Sequence, residues 1–478
     1  MYDLIVIGDD LSSHVAAAFC AINGLKTALF SEKGTAGSSV AGDLTFDGTI
    51  TPVSGFAENQ IAYLSLKNLG IYPEVRLLNP AYQIILPSQR IDFFHDKEEL
   101  LKELAREFPH LEGDLRLFYD VAEKNSNAAG QWISEHPGIQ PKKMKDFFDY
   151  LKLIPRFVES MFNTIRLKRL MSQNPSFRKV IQAQHALLSF KTDPLNSFFS
   201  SWQSCTPLRG TFSFAQGKQD LVDSLIRKIK ASDGLYLSGC DCLSIHKDKV
   251  IELNYTDDNG NTEKIESRHL IVSTKWQNIG QLFDHKKTFS FGDFLRPAKT
   301  AYFPFSIFLG VNPAGLPEKL ARHSAIICNP ARELYADNNL IILESSAKEE
   351  RMKDPAAKIL LSATVFLPDH QEIWSKDNLK TISENIMNQL DHFFPFLKEN
   401  ILFFDPDESM KLSLKLRGTI IPRYQIKNSF FTGFSAKGSK TRYANIYLTG
   451  ASLLADAGFE AEILSGLNTA NLLISQRK

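Results

Sequence analysis

Tyr2-Asp3-Leu4-Ile5-Val6-Ile7-Gly8-Asp9-Asp10-Leu11-Ser12-Ser13-His14 opens the chain, and the stretch from Tyr2 to Glu32 decides the fold. Tyr2 to Ile7 is an apolar run and predicts a fully buried parallel strand ended by Gly8. Asp9 to Ser13 read as a turn, and the Ala-rich run from Val15 to Ile22 as a helix closed by Gly24. Thr27-Ala28-Leu29-Phe30 is a second apolar strand, followed by Ser31 and Glu32. Strand, turn, helix and strand in this order predict a βαβ unit, hence an α/β fold with a parallel sheet.

Such a turn holds the pyrophosphate of a dinucleotide when it carries G-x-G-x-x-G. The second glycine lets the backbone reach the pyrophosphate, and the third lets helix and strand pack closely. Here Gly8 holds the first place, Asp10 the second and Ser13 the third. Asp10 brings a carboxylate toward a dianion and Asp9 adds another; like charges at that range repel by roughly a few kcal/mol where water is excluded. A protonated His14 would offset part of this, and the hydroxyls of Ser12 and Ser13 would supply donors. The scaffold points toward a dinucleotide, and the chemistry of the turn points away from one.

The 478 residues give room for two or three domains, and a net charge of +1 implies no global attraction to nucleic acid. Cys20, Cys205, Cys240, Cys242 and Cys328 are scattered and odd in number, which fits a reducing cytoplasm. Cys240-Asp241-Cys242 matches no zinc spacing and sits at the end of an apolar strand. The first strand starts at once, which predicts no signal peptide, and no apolar run reaches transmembrane length. The 35 phenylalanines suit either a large core or the lining of a site for an oily substrate. The 11 histidines are dispersed; with no Ser/His/Asp constellation, no H-E-x-x-H and no clustered ligands, no catalytic side chain can be named and no metal is expected.

After a Gly/Ser-rich loop from Lys33 to Ser39, a helix is expected from Gln60 to Leu69. Tyr82 to Phe94 read as strand, tight turn and strand, and Lys97–Phe108 and Leu111–Trp132 as helices. This is no longer a doubly wound pattern, so a second domain is inserted. From Gln140 to Leu188 the chain is helical and basic-amphipathic, with eight Lys/Arg against three Asp/Glu between Pro141 and Leu170. Such a segment either lies in a membrane interface with its lysines among the headgroups or packs its apolar face inside a helical subdomain. Further on, Phe214-Ala215-Gln216-Gly217-Lys218-Gln219-Asp220-Leu221 leads into a helix. A hairpin (Val250–Tyr255 and Lys264–Ser267) and a separate buried strand (His269–Ser273) follow. Strands at Phe303–Val311 and Lys358–Phe366, a helix at Trp374–Phe394, the run Asn445-Ile446-Tyr447-Leu448-Thr449-Gly450-Ala451 and a helix at Glu460–Ile474 complete the order.

This order resembles, over nearly the whole chain, the phytoene desaturase and carotenoid isomerase branch of the FAD-dependent amine-oxidase-like flavoproteins. The resemblance implies a discontinuous Rossmann-like FAD/NAD(P)-binding domain (1–80 with 205–290 and 410–478). It also implies an inserted α+β substrate domain (81–139 with 291–409) and a helical, membrane-facing insert (140–204). The implied cofactor is FAD, bound around Gly8, Asp10, Ser12, Ser13, Ser31, Glu32, Gly37, Gly450, Ala451 and Gly458. Several of these depart from the family pattern. Ser31 stands where the ribose-binding acid is expected, with Glu32 one place late, so that its side chain falls on the other face. Gly37-Ser38-Ser39 replaces Gly-Gly-Arg, and Glu460 and Glu462 replace small residues ahead of Ser465-Gly466.

Two functions follow. The first is a flavin-dependent oxidoreductase or isomerase acting on a long hydrophobic substrate such as a polyprenoid, cytoplasmic and peripherally attached to membrane through 140–170. The second is a pseudoenzyme of the same fold that has lost ordinary flavin binding and binds or escorts a lipid or prenyl group, by analogy with Rab escort proteins.

Overall fold

A computed structural model describes residues 1–31, 38–41, 44–47, 52–135, 155, 165, 167, 169–189, 198–247, 250–257, 260–273, 301–346, 354, 357–368, 370–419, 423–424, 439–441, 443–450, 453 and 458–475. The basic stretch at 140–170 lies almost wholly outside these residues, as do Glu32, Gly37 and Ala451.

The first sheet is the one the opening stretch predicts. Its order is Leu235–Ser238, Thr27–Ser31, Tyr2–Gly8, Thr262–Ser273, Ile251–Thr256 and Asp241–Lys247, with Ile446–Leu448 also paired to the long strand. Leu4, Ile5, Val6 and Ile7 have no exposed surface, as a central parallel strand covered on both faces requires. The predicted hairpin arm and the separate strand after it are one strand, Thr262–Ser273. No turn residue interrupts it, and both halves find partners. Ile251–Thr256 pairs antiparallel up to Ser267, Tyr2–Gly8 pairs parallel from Ser267 onward, and Ile446–Leu448 pairs along its far edge.

The first helix runs from Leu11 to Ile22, four residues earlier than expected, because Asp10 is its N-cap and accepts the Ser13 amide at 2.9 Å. The last helix, Phe459–Ile474, crosses it at close range. A Cβ on Gly466 would lie 2.3 Å from the Ser12 carbonyl oxygen and 3.0 Å from the Val15 Cβ.

The second sheet joins two distant stretches of chain. Its order is Ile401–Phe404, Ala301–Val311, Ile359–Pro368, Leu340–Ser345, His323–Ile327, Tyr82–Leu86 and Gln89–Phe93. Alternate residues enter different cores. Ile84, Ala325 and Ile342 face the helices Lys97–Glu107, Glu112–Glu135 and Pro175–Ser189, while Ile85, Ile326 and Ile341 face the helix Lys376–Phe393. Phe93, Phe177, Phe303 and Phe305 are fully buried in these two clusters, so these phenylalanines fill cores. Among the described residues no helix is long and apolar enough to cross a membrane.

The close helix crossing makes a prediction. Gly466→Ala is expected to lower stability by about 1–3 kcal/mol, because backbone stands where the methyl must go. Gly113→Ala, whose Cβ meets nothing within 4 Å, is expected to be neutral or slightly stabilising. Urea denaturation midpoints compare the two, and equal effects would remove the packing explanation.

Candidate functional site

Three elements converge on Gly8. It pairs with Ser273 across the sheet, and a Cβ there would lie 2.6 Å from the Ser273 carbonyl oxygen and 2.7 Å from Ser13 Oγ. The turn therefore brings the N-terminus of the first helix against the end of the long strand. In a parallel sheet this crevice, at the carboxyl ends of the strands, is where ligands bind. Gly450 lies at the same edge. Thr449 donates its amide to Val272 at 3.2 Å, and the Gly450 amide donates to Ser465 Oγ at 2.9 Å.

Asp10 fills the anion position of this crevice. Its carboxylate accepts the Ser13 amide at 2.9 Å, the Ser13 hydroxyl, and the Ser273 hydroxyl from the neighbouring strand. Asp9, also buried, accepts the hydroxyl of Ser31, which has no exposed surface. The residue standing where a ribose-binding acid was expected is thus engaged by a carboxylate of the turn itself.

His14 does not offset these charges. Burial, the dominant influence, pulls its imidazole below the ordinary value of 6.5 despite the neighbouring carboxylates. Its Nδ1 donates to the Asp10 carbonyl at 2.8 Å, which fixes the tautomer and leaves a buried Nε2 with no hydrogen-bond partner among the described residues. The Ser12 hydroxyl is buried and has no hydrogen-bond partner among the described residues. Gly458, at φ +60°, caps the last helix against the Leu188 carbonyl and Gln203, away from the turn. Cys240 and Cys242 form no disulfide among the described residues.

A second polar centre was not legible from the sequence. Glu460, read there only as a departure from small residues, is buried, and its Oε1 accepts from Arg209 Nη2 at 3.1 Å and from the Ser54 hydroxyl at 3.1 Å. Gly55 makes room for it, since a Cβ there would lie 2.6 Å from Glu460 Cγ. The Arg209 guanidinium stacks 3.5 Å over the Trp202 ring and donates through Nη1 to the Trp202 carbonyl at 2.7 Å. Burial lowers the Arg209 pKa and Glu460 opposes that shift. The pair ties the last helix to the helical layer that carries Trp202.

The turn, as arranged, does not fit a pyrophosphate. The Ser13 amide and hydroxyl and the Ser273 hydroxyl already serve Asp10, and a dianion about 4 Å from a carboxylate meets repulsion on the order of 4 kcal/mol per charge pair at an effective dielectric of about 20. The surrounding architecture does fit a dinucleotide: the close approach at Gly8, the crevice between parallel strands, and the last helix packed on the first.

No family model matches the chain, and no curated protein matches it. Solved structures do. An oxidoreductase from Methanosarcina mazei is 13% identical with a TM-score of 0.57, over 97% of this chain and 99% of that one. Cyclohexylamine oxidase from Brevibacterium oxydans is 11% identical with a TM-score of 0.55, over 100% and 99%. A putrescine oxidase variant redesigned in its cofactor binding is 13% identical with a TM-score of 0.57, over 99% of each. At such identities these likenesses establish the fold alone, a mixed α/β fold of the Rossmann type.

Two predictions follow from the buried groups. Arg209→Leu or Glu460→Leu alone is expected to lower stability by about 3–5 kcal/mol, since each strands a buried charge. The double variant should lose clearly less than the sum. Strict additivity in urea denaturation would contradict the pairing. Burial also holds His323 well below 6.5 and His14 below it. The unfolded chain therefore takes up protons that the folded chain refuses, so stability is full above pH 6.5 and falls as pH drops below it. Midpoints at about pH 7.5 and about pH 5.5 test this, and His323→Leu should flatten the slope.

Proposed function

We propose that the chain is a flavin-dependent oxidoreductase, with FAD as the cofactor of the crevice at Gly8 and a hydrophobic substrate. The observation that carries this reading is the match of fold along the whole chain, both the dinucleotide-type sheet and the second sheet, to solved oxidases and an oxidoreductase. The substrate class rests on the motif order that resembles phytoene desaturases, from Phe214–Leu221 to Asn445–Ala451, and is a polyprenoid or similar lipid. Amines, the substrates that the oxidase neighbours' names announce, are the competing class. Because the turn as arranged does not fit a pyrophosphate, no chemical step is assigned to the flavin, and no side chain is given a catalytic role.

A second reading is favoured by one specific observation, the engagement of Ser13, Ser273 and Ser31 by Asp10 and Asp9. It keeps the scaffold without flavin chemistry, as a protein that binds a lipid or prenyl group.

The purified protein should quench FAD fluorescence saturably at high FAD concentration. The bound flavin should then bleach anaerobically on addition of a polyene in detergent, and not on addition of putrescine or cyclohexylamine. Bleaching by the amines alone would replace the substrate class. No saturable FAD binding at any concentration would remove the oxidoreductase reading, and an organic extract of the isolated protein would then be examined for a co-purified lipid.

A further inference from the structure

We propose that Asp10 is a built-in occupant of the pyrophosphate seat, so that a dinucleotide enters this crevice only by displacing the protein's own carboxylate. The proposal rests on the flavin reading above and starts from the disagreement between this turn and a pyrophosphate. A carboxylate presents two anionic oxygens on one centre, as a phosphate edge does, and here each oxygen is held as a bound anion would be. Oδ1 accepts the Ser13 amide at the N-terminus of the first helix together with the Ser13 hydroxyl, and Oδ2 accepts the Ser273 hydroxyl from the adjacent strand.

An N-cap role alone does not account for this arrangement. A cap requires the Ser13 amide, which Ser, Asn or Thr at position 10 would satisfy equally. It does not require a hydroxyl from a strand more than two hundred residues away in sequence. Nor does it require that the neighbouring Asp9 engage Ser31, at the place where a ribose would be held. Ser13 and Ser31 have no exposed surface and Ser273 is 5% exposed, so these hydroxyls have no bulk water to turn to. His14, held neutral by burial, carries no charge to offset Asp10. Two carboxylates thus make, inside the protein, the contacts that a nucleotide's phosphate and ribose would make from outside.

The test is ligand affinity in Asp10→Gly and Asp10→Asn against the natural chain, with FAD, ADP and adenosine as probes. Asp10→Asn keeps a capping residue of the same shape, so it remains informative if Asp10→Gly fails to fold. The expected result is at least tenfold tighter binding of FAD and ADP in Asp10→Gly, a smaller gain in Asp10→Asn, and no gain for adenosine, which has no phosphate to compete. A gain for FAD and ADP over a natural chain that binds neither supports the inference and ends the flavin reading for the natural sequence. Equal and measurable FAD affinity in all three proteins overturns the inference and leaves the flavin reading standing. An equal gain for adenosine overturns it as well, since a general loosening of the crevice would then explain the effect. Absence of binding in every variant overturns both.

Discussion

The approach of Gly8 to Ser273 governs this end of the molecule. With a hydrogen for a side chain, Gly8 lets the first strand, the long strand and the first helix meet within contact distance; any Cβ would fall inside the Ser273 carbonyl and the Ser13 hydroxyl. That closeness puts the helix N-terminus, with its unpaired amides and partial positive charge, at the edge of a buried parallel sheet. It also sets what can satisfy those amides, because only a group arriving from the turn or the crevice reaches them. In this chain the turn itself provides the group, as Asp10.

The contacts between the sheets follow from the same packing. The last helix must lie close on the first to reach the edge strand Ile446–Leu448, and Gly466 permits it. Its first turn then projects Glu460 toward the helical layer, where Arg209 and Trp202 receive it. The position that in a flavoprotein of this kind is expected to be small therefore carries a buried charge, and the protein holds it with an arginine from a short helix, Thr206–Arg209, and a hydroxyl from a two-residue strand, Val53–Ser54. Breaking one partner is costly for the reason that burial makes it so: neither charge has water to fall back on.

The fold was legible because its signal is local. Tyr2–Ile7 and Thr27–Phe30 are apolar runs that only a doubly covered strand tolerates, and Tyr82–Phe93 and Lys97–Glu107 announce their periods plainly. The boundaries that failed did so where a partner decided them. The helix starts at Leu11 because Asp10 caps it, and His269–Ser273 is continuous with Thr262–Ser267 because strands lie ready on both sides. The site was half legible. That Asp10 and Ser13 replace glycines can be read from spacing; that Ser273 completes their network cannot, since it lies 263 residues from Asp10. The reading of His14 as a compensating cation failed on burial, which no single residue type discloses. Glu460 was visible only as an anomaly, because its meaning is Arg209, 251 residues away.

A dinucleotide-binding turn with three glycines leaves the first amides of its helix for the ligand, so the empty protein carries unpaired donors and the ligand stabilises the fold by filling them. The turn seen here reverses that dependence. Ser13, Ser273 and Ser31 have partners from Asp10 and Asp9, so these donors are engaged without any bound molecule. A ligand that displaces Asp10 therefore gains only the difference between its own contacts and those it must undo. That difference is small for a phosphate, which offers the same kind of acceptor at greater charge, and larger for a ligand that uses the apolar surroundings and leaves the turn alone. The same sheet, helix and glycine that make the fold recognisable thus set a turn in which a carboxylate of the chain itself takes the Ser13 amide and the Ser273 hydroxyl.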